Sequence, residues 1–279
     1  VLSLGANYND RLYLGATLGL PSVSYEQNSV LRERDSNNLS PYFNSLTYTS
    51  WHETKGNGYQ VKIGAIAWLT EMVRLGLAVH TPGFLKLEDE YRASMRSDLT
   101  LDPADYPDYD ENAKFKQSPN GYFNYELTTP LRAIGSLGLV FGKSGLISLD
   151  YEYADHTKAR LRSDSYSFSD ENNYIRNRLN TQHILRAGTE LRMDPFVLRA
   201  GYAHHTSPYR KGVNDASKNI LSAGIGFRGK SSFIDFAYSF GFYSESYVLY
   251  QLENEAIPLP TVNRDFSNST YRVTLGWKF

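Results

Sequence analysis

The chain has 279 residues, no cysteine and a formal net charge of −1, which excludes a disulfide framework, a thiolate metal site and the basic surplus of a general nucleic-acid binder. Charged residues make up 21% of it and mean hydropathy is −0.46, yet it carries 22 Tyr and 14 Phe. No stretch approaches the roughly 18 apolar residues of a membrane helix, so a bilayer is crossed by strands or not at all.

Period-2 alternation recurs along the chain. Val1 to Tyr8 reads as a strand, and Asn9-Asp10 turns it into Arg11 to about Gln27. There Leu12, Leu14, Ala16 and Leu18 oppose Tyr13, Gly15, Thr17 and Gly19, an oily face against a small, polar one. A polar loop over 28–42 precedes a long strand from Phe43 to Leu69, with Gly56-Asn57-Gly58 as a bulge or turn midway. Thr70-Glu71 turns the chain into Met72 to about Thr81, and a polar, Asp-, Pro- and Tyr-rich loop covers 82–120. Gly121 to Gly142, kinked at Pro130, turns at Lys143-Ser144-Gly145 into Leu146 to about Leu161, before a loop over 163–179. Asn180 to Met193 and Phe196 to His205 flank Asp194-Pro195, and a loop covers 206–217. Lys218 to Arg228 and Ser231 to Tyr250 flank Gly229-Lys230, and the loop 251–267 leads to the last strand.

That strand, Tyr271 to Phe279, sets Tyr271, Val273, Leu275, Trp277 and Phe279 on one lipid-compatible face. It resembles the C-terminal signal that the outer-membrane assembly machinery reads. The tight turns fall at one end of about eleven strands and the long loops at the other, which is the pattern of an all-β, transmembrane antiparallel β-barrel in the outer membrane of a Gram-negative bacterium, with membrane lipid around it. With the last strand descending, Val1 to Tyr8 also descends. We therefore expect one barrel domain over 1–279, incomplete at its N-terminus, in a mature or truncated chain with no signal peptide of its own.

Gly58 to Trp68, followed by Val73-Arg74-Leu75-Gly76-Leu77-Ala78-Val79-His80-Thr81-Pro82, and Tyr125 to Tyr153 with its Thr129-Pro130-Leu131 step, resemble the FadL-type family of outer-membrane transporters for long-chain fatty acids and other hydrophobic compounds. The resemblance implies a barrel of fourteen strands, the first of them upstream. It also implies passive transport of hydrophobic or amphipathic small molecules, with no cofactor and no enzymatic activity. The family's N-terminal hatch and kinked third strand have no counterpart in this sequence. A non-transporting barrel serving as scaffold or surface receptor is the rival reading, and a lipid-modifying outer-membrane enzyme is another. No Gly-x-Ser-x-Gly motif supports the enzyme.

If oily positions face lipid, the opposite parity faces the lumen. Its charges are nine basic (Lys62, Arg74, Arg132, Arg186, Arg192, Arg199, Arg228, Arg272, Lys278) and four acidic (Asp150, Glu152, Glu190, Asp235). The first eight of the basic residues are candidate ligand-binding groups for an anionic head group; the bland alternative is that they balance carboxylates on neighbouring strands. Asp150 and Glu152 are expected to meet this basic ladder rather than to act as a catalytic pair. No catalytic residue and no metal site is expected. His204 and His205 point to opposite faces of a strand, and Asp102, Asp105, Asp108, Asp110 and Glu111 read as a solvated loop rather than a calcium site. Tyr13, Trp68, Tyr202, Tyr238 and Trp277 are expected as interfacial anchors, and inward glycines such as Gly15, Gly64, Gly76, Gly224 and Gly276 ease curvature or make room for a plug.

Overall fold

Alternation becomes ladder pairing throughout the computed structural model, which describes residues 1–37, 39–101, 114–212, 214–248 and 261–277. The barrel wall is one antiparallel sheet. Along it lie β1 (Leu2–Tyr8), β2 (Leu12–Gly19), β4 (Phe43–Trp68), β5 (Val73–His80), β9 (Arg132–Phe141), β10 (Gly145–Asp155), β12 (Thr181–Met193), β13 (Phe196–His205), β14 (Lys218–Arg228), β15 (Ser232–Val248) and β16 (Thr261–Trp277), each paired to the next. Strands β1 and β16 are its two edges, with no ladder between them among the described residues.

The wall is inside-out relative to a water-soluble sheet. Large apolar side chains of one parity stand on its outer face, including Leu77 at 71% exposure, Tyr271 at 69% and Trp277 at 66%. Such a band is stable only against lipid. Buried apolar residues are few: Leu85, Leu87, Ala154, Ile184 and Val197. Short turns close one end, at Asn9-Asp10, where both residues take positive φ (52° and 54°), and at the cis Asp194-Pro195 peptide. The longer connections gather at the other end.

Beyond that other end the wall continues as a smaller sheet of β3 (Ser22–Arg34), the first part of β4, β6 (Phe84–Leu99), β7 (Phe115–Gln117), β8 (Gly121–Thr128) and β11 (Arg160–Arg162). The junction is a row of prolines. β3 continues the register of β2 on β4 across Pro21 (Gly19↔Gln60, then Ser22↔Asn57). β8 continues that of β9 across Pro130, because Phe84↔Thr128 follows His80↔Arg132. Proline supplies no ladder donor, and threonine hydroxyls compensate. Val61 N donates to Thr81 Oγ1 (3.1 Å) and Gly83 N to Thr129 Oγ1 (2.8 Å).

Thr81-Pro82-Gly83 also gains one residue on β4, since Lys62 faces His80 but Tyr59 faces Phe84. This bulge reverses parity: even residues of β5 face inward, whereas in β6 it is Leu85, Leu87 and Asp89.

Four expectations change. Gly56-Asn57-Gly58 is uninterrupted β4, and the irregularity sits opposite, at Thr81–Gly83. A Cβ on Gly56 or Gly58 would collide with the backbone of Lys86 or Phe84, so glycine lets Leu87 and Leu85 lie close. Strand β3 takes 28–34 out of the expected loop, and β6 takes 84–99. Within 163–179 the chain forms α1 (Ser169–Arg178), with Asp170 and Glu171 in its first turn and Arg176 and Arg178 in its last, matching the helix dipole. Strand β16 begins at Thr261, ten residues before Tyr271, so the final loop ends earlier than 267. Lys278, Phe279 and the acidic loop from Asp102 to Glu111 lie outside the described residues.

Candidate functional site

Parity assigns the inner face residue by residue, and that face divides in two. On β9, β10 and β12 to β15 the cations meet carboxylates. Glu152, buried at 4% exposure, sits between Arg132 (3.3 Å) and Arg186 (2.8 Å). Glu190 accepts from Arg192 Nε (2.6 Å) and Arg199 Nε (2.7 Å), and Arg199 Nη1 reaches Asp235 (2.7 Å), which Arg228 also holds (2.9 Å). Arg192-Glu190-Arg199-Asp235-Arg228 is therefore a continuous charge-assisted chain across four strands. Asp150 accepts from Ser136 Oγ.

On β2, β4, β5 and β9 the inner face is an open groove of about 970 Å3. Gly15, Gly64, Gly76 and Gly138 form its floor, Ala78, Ile66 and Ile134 its apolar walls, Lys62 and Arg74 its cations, and the His80 imidazole lies at its upper end. The glycine floor is a register effect: Gly15 faces Gly64 and Arg74 faces Gly138 across neighbouring strands. Arg74 stacks on Trp68, its guanidinium 4.0 Å from the ring centroid, with its buried Nε unpartnered. Such stacking contributes about 0.5–1 kcal/mol at a site open to water. Tyr13 packs beside the same indole at 6.0 Å.

Of the eight candidate cations, Arg132, Arg186, Arg192, Arg199 and Arg228 are thus tied to carboxylates. Lys62, Arg74 and Arg272 have no ion pair among the described residues, and Lys62 and Arg74 share the groove. Glu152 meets the ladder as expected, while Asp150 is held by a hydroxyl. Tyr13 and Trp68 face inward rather than anchoring at the lipid interface, because they alternate with Leu12 and Ala67. His80 is a groove residue that a charge count passes over. Its parity with Arg74 was the available signal.

Above the prolines, Asp89 collects Thr54 Oγ1 (2.7 Å), His52 Nε2 (3.3 Å) and Tyr125 OH (3.3 Å). Burial, then the Asp89 carboxylate, pushes the Tyr125 phenol up from its usual range. This is not a nucleophile relay. Thr54 gives its proton to Asp89, and the single nitrogen His52 Nε2 faces both of them. His204 Nδ1 pairs with Asn219 (2.8 Å), and no group of three His, Asp or Glu among the described residues is placed to hold a metal ion.

No protein-family model matches the sequence, and no curated protein matches it. Solved structures do. The chain superposes on the Pseudomonas putida toluene transporter TodX with a TM-score of 0.60 at 14% identity, over 99% of this chain and 68% of that one. The Ralstonia pickettii toluene transporter TbuX gives 0.58 at 13%, over 99% and 66%. A Pseudomonas aeruginosa FadL homologue gives 0.51 at 14%, over 98% and 76%. The chain has the all-β transmembrane barrel fold of the FadL-type hydrophobic-compound transporters.

Proposed function

We propose that this protein sits in the outer membrane of a Gram-negative bacterium and lets hydrophobic or amphipathic small molecules pass without energy input. The observation that carries the reading is the glycine-floored groove on β2, β4, β5 and β9, an apolar track beside the salt-bridged ladder. Its short turns would lie in the periplasm and its longer connections outside. The toluene transporters among the fold neighbours support the cargo class, and β16 supplies the aromatic, alternating strand suited to the assembly machinery. An unbroken salt-bridged interior would favour a scaffold or receptor instead. Here the ladder leaves the groove free.

Uptake of a radiolabelled hydrophobic solute by cells expressing the full-length protein tests this. A Gly15→Phe ring projects into the groove, and a Cβ there meets nothing nearer than Leu4 O at 3.9 Å, so the strand accepts it. The variant should fold and lose most of the uptake. Equal uptake in cells with and without the wild-type protein would refute the reading.

A further inference from the structure

The outer surface of the wall has a depression of its own, about 700 Å3, across β5, β9, β10, β12 and β13. Register explains it. Gly135 lies between Leu77 on β5 and Tyr151 on β10, and Ala187 lies between Leu149 on β10 and Tyr202 on β13, all of outward parity. A Cβ on Gly135 would meet only Leu77 Cδ2, at 3.9 Å, so the space above it is open. Neighbouring strands lie ~4.8 Å apart, which sets the two low points about 10 Å from each other across the sheet, with Leu149 and Tyr151 as a ridge between them.

The depression sits within the apolar band that faces lipid, so lipid covers it. Gly135, Tyr151 and Tyr202 are nearer the long-connection ends of their strands than the short turns. In the orientation proposed above, that is the outer leaflet. One step further out, Tyr153 faces His183. The His183 ring stacks on Tyr151, pairs through Nδ1 with its hydroxyl (2.7 Å) and meets Tyr153 edge-on. With Nδ1 accepting from Tyr151, the ring proton is on Nε2. Nε2 and the Tyr153 hydroxyl are then two donors above an apolar hollow, with no partner among the described residues. Apolar slots below and donors above match an acylated lipid with phosphate on its head.

The ridge distinguishes between lipids. A glycerophospholipid keeps its two chains side by side, whereas the multiply acylated disaccharide of lipid A spreads its chains widely enough to straddle Leu149 and Tyr151. We infer that the depression seats one molecule of lipid A, with acyl chains over Gly135 and Ala187 on either side of the ridge and a phosphorylated head at Tyr153 and His183. The seat lies outside the barrel and needs no passage through it.

Native mass spectrometry of the full-length protein in detergent, titrated with lipid A, tests this. The wild type should bind a first lipid A more tightly than any further one. Gly135→Leu and Ala187→Leu each fill one slot and should each weaken that first site about ten-fold, the loss of a few buried methylene contacts. His183→Phe keeps a ring beside Tyr151 and removes the donor, and should weaken it about five-fold. Ala223→Leu, of outward parity on β14 and away from the depression, should leave it unchanged. Equal first-site affinity in the wild type, Gly135→Leu and Ala187→Leu would overturn the seat, as would an equal weakening by Ala223→Leu. Phosphatidylethanolamine bound as tightly as lipid A would overturn the choice of lipid. Lipid A retention and solute uptake are separate readouts, so either reading can fail alone.

Discussion

The two halves of the inner wall are built from the same strands and the same outward apolar band, yet they treat charge oppositely. On β10 and β12 to β15, arginines and carboxylates bind one another into a chain, and the wall is held by its own polar contacts. On the groove side of β2, β4 and β5, glycines open space, and Lys62 and Arg74 have no ion pair among the described residues. A satisfied ladder has nothing left to offer a ligand. The groove has donors left over, and its shape is set by what its glycines omit.

Mutations separate the halves by size of effect. Glu152→Ala should be among the most damaging, about 3 kcal/mol in reversible urea unfolding from lipid vesicles, because it removes two charge-assisted contacts at once, those with Arg132 and Arg186. A smaller loss than that of Arg74→Ala would break the contrast. The halves share one exterior, so Leu77→Arg behind the groove and Leu198→Arg behind the ladder should each cost about 2–4 kcal/mol near the bilayer midplane. Unequal penalties would place the two positions at different depths. Arg199→Ala leaves Glu190 with Arg192 and Asp235 with Arg228, and Arg199 is 37% exposed, so about 1–2 kcal/mol is expected. Least of all, Arg74→Ala gives up its stacking on Trp68, about 1 kcal/mol or less in the same assay.

Strand alternation made the inner and outer faces legible from sequence wherever a strand runs straight, and the inward glycines follow from it. Charge pairing was not legible in the same way. Which carboxylate meets Arg199 depends on the register of β12, β13, β14 and β15 together, and Glu190 and Asp235 are 9 and 36 positions from it. Polar composition hid β3, β6 and α1. β3 is exposed along almost all of its length, β6 buries only Leu85 and Leu87 at its base, so neither carries the oily stripe that marks the barrel strands, and α1 has no buried residue. Parity also fails at Thr81-Pro82-Gly83, where one added residue turns Leu85 and Leu87 inward. Tyr13 and Trp68 were misassigned because aromatic residues near strand ends suggest an interface whichever way they face.

Strand β4 runs 26 residues without a break, while its neighbours on both sides are interrupted by Pro21 and by Pro82 at one level. It works as a mast. The smaller sheet and the barrel wall share its Gly58-to-Lys62 backbone, with the flanking ladders broken alongside it, and Lys62 and Trp68 of the groove are carried on that same ribbon.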